Sequence, residues 1–361
     1  MLIVRDSQVK KLFYKGQEID KILDWKGNVV FVKESAPVMT NTIKFHTTSA
    51  VTSGKRFTVT YTDSTSDEMH YSEPNKFYTV PIPTDKIVKG IDSSSSYIDE
   101  IIFSCKVSLS AYLISGMPNI IKFISCDATS NTSLSNAFIN VANKSVEVRN
   151  LDARNATNLD SLCYNAKGLE SIILRDLNVS NATSMQYMFR YCSGATTIDV
   201  TNWDTSSATN LKYAFADCNN LKSIDLSSWN VSNVTNMEFM FYNCSSFTSL
   251  DLSRFDVSLV TSMSGIFEGC SSLTSLDLSS WKVGINLRNL DYAFRYCSSL
   301  TYLDISGWDL SISNISKMYA MFVDCKALKT IYMRGCNQKT IDKIKKQLSF
   351  AKLNNVTIVT E

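Results

Sequence analysis

The sequence predicts an α/β repeat fold: a leucine-rich-repeat solenoid preceded by a small antiparallel β domain and a short N-terminal β-hairpin module. Three observations predict it. Met185–Val283 reads in register as three full copies of a 26-residue unit and the start of a fourth. Each copy carries the strand pattern L-x-x-L-x-L, as in Leu273, Leu276 and Leu278. Ser, Thr and Asn fill the segments between apolar positions, as turns require. Self-similarity at a fixed period of this length marks stacked repeats.

Residues 1–33 form a unit of their own, duplicated at a spacing of 11 residues. Lys10, Leu12, Tyr14, Lys15 and Gly16 match Lys21, Leu23, Trp25, Lys26 and Gly27. Each copy reads as two short strands about a turn at K-G-Q or K-G-N, where Gly supplies the positive φ. Two small hairpins are not stable alone, so this unit is expected to rest on another surface. Tyr14, Gly16, Trp25 and Gly27 are its candidate docking residues. The segment resembles the short tyrosine- and tryptophan-bearing N-terminal modules on structural proteins of phages that infect gut Bacteroidetes, including crAss-like phages. The resemblance implies a virion component assembled in the host cytoplasm, with residues 1–33 bound to other virion proteins.

Residues 34–96 hold a linker (34–40) and then the small β domain. Apolar and polar residues alternate there, as in Ile43, Phe45, Phe57, Val59 and Tyr61, with turn signals at Ser53-Gly54 and Glu73-Pro74-Asn75. The domain is expected to cover the open first rung of the solenoid.

Residues 97–336 form the solenoid. Its early copies are degenerate: Ile121, Phe123 and Cys126 precede Val146, Val148 and Leu151 by 25 residues. Later copies lengthen, with 27 residues from Cys270 to Cys297 and 28 from Cys297 to Cys325. In each full copy the apolar residues at i, i+3, i+4 and i+7 (Met237, Met240, Phe241, Cys244) fit one face of a short helix. Strands are therefore expected on one face and short helices on the other. Residues 337–361 form the end cap. Ile341, Ile344 and Leu348 lie at helical spacing, followed by a strand in Asn355–Thr360.

The unit M-x-x-M-F-x-x-C-S-S-L-T-S-L-D-L-S-x-W/F-x-V-S-x-V-T resembles the BspA-like leucine-rich repeats of bacterial surface proteins and mycoplasma surface lipoproteins. The resemblance covers roughly two thirds of the chain. It implies a solenoid that binds a ligand or partner and does not imply a catalytic site; no cofactor is expected. A host surface protein or glycan is the partner it suggests for the solenoid.

Net charge is +2, so the sequence makes no electrostatic case for nucleic acid or an anionic membrane. The start MLIV is too short for the apolar core of a signal peptide before Arg5 and Asp6. No stretch has the length and apolarity of a membrane span. A secreted or lipid-anchored form is not expected on those grounds.

Candidate sites are few. Asp199, Asp225, Asp251, Asp277 and Asp304 recur between inward-facing apolar residues and should form an outward column. Read functionally, the column is a stripe for a cation or a basic ligand. Read structurally, each Asp accepts hydrogen bonds from nearby Ser, Thr and backbone. Tyr302 and Tyr332 take outward strand positions and form a candidate contact patch. The aromatic column Trp203, Trp229, Phe255, Trp281 and Trp308 reads as core. Six cysteines (Cys192, Cys218, Cys244, Cys270, Cys297, Cys325) share one repeat position and read as small buried hydrophobes. No CxxC pair supports a metal site, and His46 and His70 lie outside any metal-ligand spacing. The N-x-S/T triplets at Asn181, Asn230 and Asn233 read as turn chemistry. The expected function is non-enzymatic binding or assembly, most directly as a phage head fibre, tail or receptor-contacting protein. A bacterial cell-surface adhesin is the alternative.

Overall fold

In a computed structural model the chain divides into two compact units, Met1–Val38 and Met39–Glu361. The structure describes residues 41–50, 55–93, 98–109, 120–141, 144–283, 285–311, 315 and 317–361, and four short strands before them. In the first unit β1 (Phe13–Tyr14) pairs antiparallel with β2 (Gln17–Glu18). β3 (Lys21–Leu23) pairs antiparallel with β4 (Val29–Val32).

The second unit begins with two antiparallel sheets. β5 (Thr42–Thr47) pairs with β8 (Phe77–Pro81), while β6 (Lys55–Tyr61) lies between β7 (Ser66–Tyr71) and β9 (Val88–Ser93). Alternation along β5 and β6 buries Ile43, Phe45, Phe57 and Val59 between the sheets. The Phe45 and Phe57 rings stack there at 4.4 Å.

β10 (Ile98–Ser104) joins this domain to the solenoid. It runs antiparallel to β5 on one side and parallel to β11 (Ile120–Ile124) on the other. β12 (Ser145–Arg149), β13 (Ser171–Ile173) and β14 (Thr197–Asp199) continue the parallel stack. One seven-stranded sheet therefore crosses from the β domain into the repeats. A second parallel sheet holds β15 (Ser275–Asp277), β16 (Tyr302–Asp304), β17 (Thr330–Tyr332) and β18 (Thr357–Val359). Helix α1 (Gln338–Phe350) lies between β17 and β18. Asn337 caps it by accepting from Thr340 N, and its buried side includes Ile341, Ile344 and Leu348.

The result is a β-solenoid of about nine turns with an antiparallel sheet at its N-terminal end. It corrects the expected α/β alternation. The segments with helix-like spacing are consecutive turns, and α1 is the one helix among the described residues. In Met185–Cys192 the N–H groups of Met185, Tyr187, Phe189 and Tyr191 donate to Asn210, Lys212, Ala214 and Ala216 of the next rung. The N–H groups of Arg190 and Cys192 donate back three residues, to Tyr187 and Phe189. An α-helix would use every N–H along its own axis. Here every second one goes to the neighbouring rung. A run of four-residue turns buries i, i+3, i+4 and i+7 much as a helix does, so burial spacing alone did not separate the two.

This geometry needs a left-handed residue twice per rung, four residues apart. The positions include Tyr187 and Tyr191, Tyr213 and Asp217, Phe239 and Asn243, and Tyr292 and Tyr296, all with positive φ. A non-glycine residue in that region costs about 1–2 kcal/mol. The N–H of each of these residues makes a hydrogen bond to the next rung. Leaving such a buried group unpaired would cost about 1–3 kcal/mol. The cross-rung bonds therefore offset the strain. Gly265 occupies the same position in its rung at φ +57°, where the Phe239 ring fills the place of a Cβ.

Opposite the strands, isolated parallel bridges link Ser133, Asn158, Ser184, Asn210, Asn236, Ser262, Asn289 and Lys317 without a break. The strand face is interrupted instead. Ser223–Asp225 and Ser249–Asp251, the rungs between β14 and β15, are not strands. Ring spacing varies across the rung in paired and unpaired rungs alike, with Trp281 and Trp308, beside the paired β15 and β16, 6.4 Å apart. Tyr213 and Phe239 stack at 4.8 Å on the turn face, Phe215 and Phe241 at 5.7 Å in the core, and Trp203 and Trp229 at 6.2 Å nearer the strands.

The core runs through every rung. The aromatic column is buried, from Trp203 at 1% to Trp308 at 1% exposure. Trp203, Trp281 and Trp308 each donate Nε1 to a backbone carbonyl of the preceding rung, at Leu174, Leu252 and Leu278. Trp229, on an interrupted rung, has a buried Nε1 without a partner. All ten cysteines are free, and nine are buried. Cys218, Cys244 and Cys270 donate Sγ to the carbonyls of Phe189, Phe215 and Phe241 at 3.1–3.2 Å. Burial pushes the Cys192 and Cys270 thiols up to about 12.

Candidate binding surface

The strand face carries the predicted Asp column. Each Asp accepts from the backbone N–H two residues on: Thr201, Ser227, Ser253, Ser279 and Ser306. These are Asx turns that close the strand end. The column is not uniformly outward, which corrects the expectation. Asp225, Asp251 and Asp277 are exposed, Asp199 is half-buried, and Asp304 is buried at 5%. Arginines cover the ends. Arg175 donates to Asp199 at 2.6 Å, and Arg334 Nη1 lies 3.6 Å from Asp304. Burial opposes ionisation of Asp199, but bonds from Thr201 and Arg175 outweigh it and hold its pKa below the usual range. Shallow grooves beside Asp251 and Asp277 are lined by Ser249, Ser253, Ser275, Ser279 and Ser280.

Tyr302 and Tyr332 are half-buried neighbours with ring centroids 4.9 Å apart. Arg334 lies over the Tyr332 ring at 4.2 Å, and Tyr302 OH points to Asp304 Oδ2 at 3.4 Å. The pair thus belongs to the cover of Asp304. Of the candidate docking residues, Tyr14 lies in β1. Gly16, Trp25 and Gly27 lie outside the described residues. The N-x-S/T asparagines take part in the stacking. Asn181 and Asn233 donate Nδ2 to carbonyls of the preceding rung, and Asn230 accepts from Ser232 N. His46 Nδ1 lies 2.7 Å from Asp99, and His70 is exposed beside Glu68.

The turn face holds a surface that sequence reasoning missed. The left-handed positions project Tyr187, Tyr213 and Phe239 in a row, with the rings stacked within 11° of parallel. Two rungs carry the same cluster. In the first, Arg190 lies 4.5 Å from the Tyr191 ring centroid and 4.3 Å from that of Tyr213, and donates to Tyr191 OH. In the second, Arg295 lies 4.3 Å from the Tyr296 ring and donates to Tyr296 OH. Each arginine faces an acid on an adjacent rung, Asp217 at 3.6 Å and Glu268 at 3.4 Å. Burial raises the Glu268 pKa against the pull of Arg295. The signal was present as Y-x-F-R-Y at 187–191 and again at 292–296. It was hidden because a helix would not place these side chains in register on one surface.

A Tyr row with its ring faces packed against one another presents edges and hydroxyls outward. Guanidinium groups lie between the rings, and charge is balanced locally. Tyr and Arg side chains held in this way are the groups that anchor protein interfaces. The class defined by fold and surface is a repeat solenoid of the binding type. Two overlapping stretches, residues 132–249 and 209–334, match the family described as "Mycoplasma protein of unknown function, DUF285". Together they cover more than half of the chain, and the chain belongs to this family. No curated protein matches it significantly.

Proposed function

We propose that this is a non-enzymatic binding and assembly protein whose turn face holds a partner protein. The observation that carries the reading is the repeated Tyr-Arg-Tyr cluster with its intervening aromatic row. Those rings spend their faces on each other, so a sugar has little open platform on which to stack. Their hydroxyl edges and guanidinium groups suit the carbonyls and polar side chains of a protein surface. In the finer form of this reading the chain is a virion structural protein, docked on the particle through residues 1–33. The resemblance of that segment to phage N-terminal modules supports it. The second reading is a bacterial cell-surface adhesin, which the family match favours.

Mass spectrometry of density-purified phage particles from the source culture separates the two. A many-copy signal from this chain is the expected result, and deletion of residues 1–33 should abolish incorporation while the solenoid stays folded. Absence from particles, with recovery in the bacterial surface fraction, would replace the virion reading with the adhesin. Binding through the turn face is tested separately. The Arg190→Ala/Arg295→Ala double variant should lose capture of the partner identified from either fraction, and unchanged capture would reject that surface.

A further inference from the structure

At the C-terminal end of the turn face a groove of about 400 Å³ lies between the last full rung and α1. Its apolar floor is Ile315, Met318 and Tyr319, and Phe350 stands edge-on to Tyr319 with centroids 5.3 Å apart. Tyr319 and Phe350 are 57% and 52% exposed, among the largest apolar exposures of the described residues. Lys317, Lys343 and Lys346 line the same groove. Asp291 is its one acid, and its carboxylate is engaged by Tyr319 N. Helix α1 itself carries four lysines against one aspartate. Gln347 also lines the groove, and its Oε1 is buried without a hydrogen-bond partner. A buried amide oxygen left in that state costs about 1–3 kcal/mol.

We propose that this groove binds an acidic peptide segment of a partner protein, with one large apolar side chain as its anchor. The three features fit a single occupant. An aromatic or aliphatic side chain covers the Tyr319 and Phe350 rings. Carboxylates on either side of it meet Lys317 and Lys346, while Lys343 Nζ donates to Leu310 O at 2.7 Å. Docking turns the half-buried Gln347 amide into the groove, where a backbone N–H of the peptide donates to Oε1 and satisfies the orphan acceptor. Nucleic acid would meet the lysines but would bring no N–H to Gln347 at a fixed depth beside an apolar anchor. The site is separate from the Tyr-Arg-Tyr clusters, so it stands or falls apart from the function proposed above.

The test uses the full chain as bait for a displayed library of random peptides. Enriched peptides are then labelled with fluorescein and measured by fluorescence anisotropy. Enrichment of acidic peptides with a central Phe, Leu or Trp is expected. Gln347→Leu should weaken the best of them by roughly tenfold, about the loss of one buried hydrogen bond to a partner. It should leave Tm unchanged or higher, because Oε1 bonds nothing within the chain. Lys317→Glu/Lys346→Glu should abolish binding and leave Tm nearly unchanged, since both side chains are exposed. Enrichment without acidic residues would overturn the proposal. So would unchanged affinity in either variant, or equal competition by single-stranded DNA.

Discussion

At the scale of single residues, position in the rung decides chemistry that residue type alone leaves open. Ten cysteines in a chain of 361 residues could suggest disulfides or metal. Stacking in register places each ladder thiol under its own turn, where it donates to a carbonyl instead of meeting another sulfur. Burial then raises these thiols far above their ordinary range, which removes the reactive thiolate at neutral pH. Cys336 differs, being half-buried, although burial still raises its pKa. In native protein, a thiol reagent such as Ellman's should label Cys336 first and the other nine only with global unfolding. Rapid labelling of several thiols under native conditions would show that the ladder opens locally. The same logic separates the aspartates. Asp199 and Asp304 carry arginine partners, whereas Asp225, Asp251 and Asp277 stand on the exposed middle of the face.

At the scale of the element, the turn segment replaces the expected helix, and a pair of substitutions distinguishes them. Ala320 sits at a left-handed position with φ 53°. Ala293 is buried on the neighbouring rung and is not among the positive-φ residues. Glycine relieves a strained left-handed alanine by about 0.5–1 kcal/mol, but weakens an unstrained buried position by about 1 kcal/mol. Ala320→Gly should therefore raise Tm, and Ala293→Gly should lower it. Two decreases would indicate helix at both places. Sequence periodicity found the buried face of this element correctly, because Met237, Met240, Phe241 and Cys244 are all buried. It did not find the element type, because the partner for every second N–H lies some 25 residues away in the chain.

At the scale of the molecule, the strand face is interrupted at two rungs of the Asp column, and repulsion along that column is a testable cause. Like charges stacked at strand spacing oppose pairing by roughly 0.2–1 kcal/mol per contact. The two rungs that lose strand pairing, at Asp225 and Asp251, lie between the ends of the column covered by Arg175 and Arg334, with Arg254 beside Asp251. Asn keeps the side-chain oxygen that accepts from Ser227 and Ser253 while removing the charge. The Asp225→Asn/Asp251→Asn variant should gain about 0.5 kcal/mol. It should also slow amide exchange of the strand face between Ser223 and Asp251. A loss of stability would show that the interruption comes from packing and not from charge. The turn face, by contrast, is bridged without a break, and the Tyr and Phe rings of the binding surface stack along it.

The sequence by itself determined the period, the core columns, the terminal helix and strand, and the repeat class. Each depends on local pattern repeated in register, and repetition makes a local pattern visible. Where the strands and bridges run parallel was implied by stacking. Only the tertiary structure decided that the helix-like segment is a ladder of turns. It also decided that Asp304 is covered and that Tyr187, Arg190, Tyr191 and Tyr213 form one surface. Those outcomes depend on which backbone group a residue meets on the next rung, and on which side chains pack beside it there. Both are set by contacts between residues a full repeat apart, where a single copy of the pattern carries no record of them.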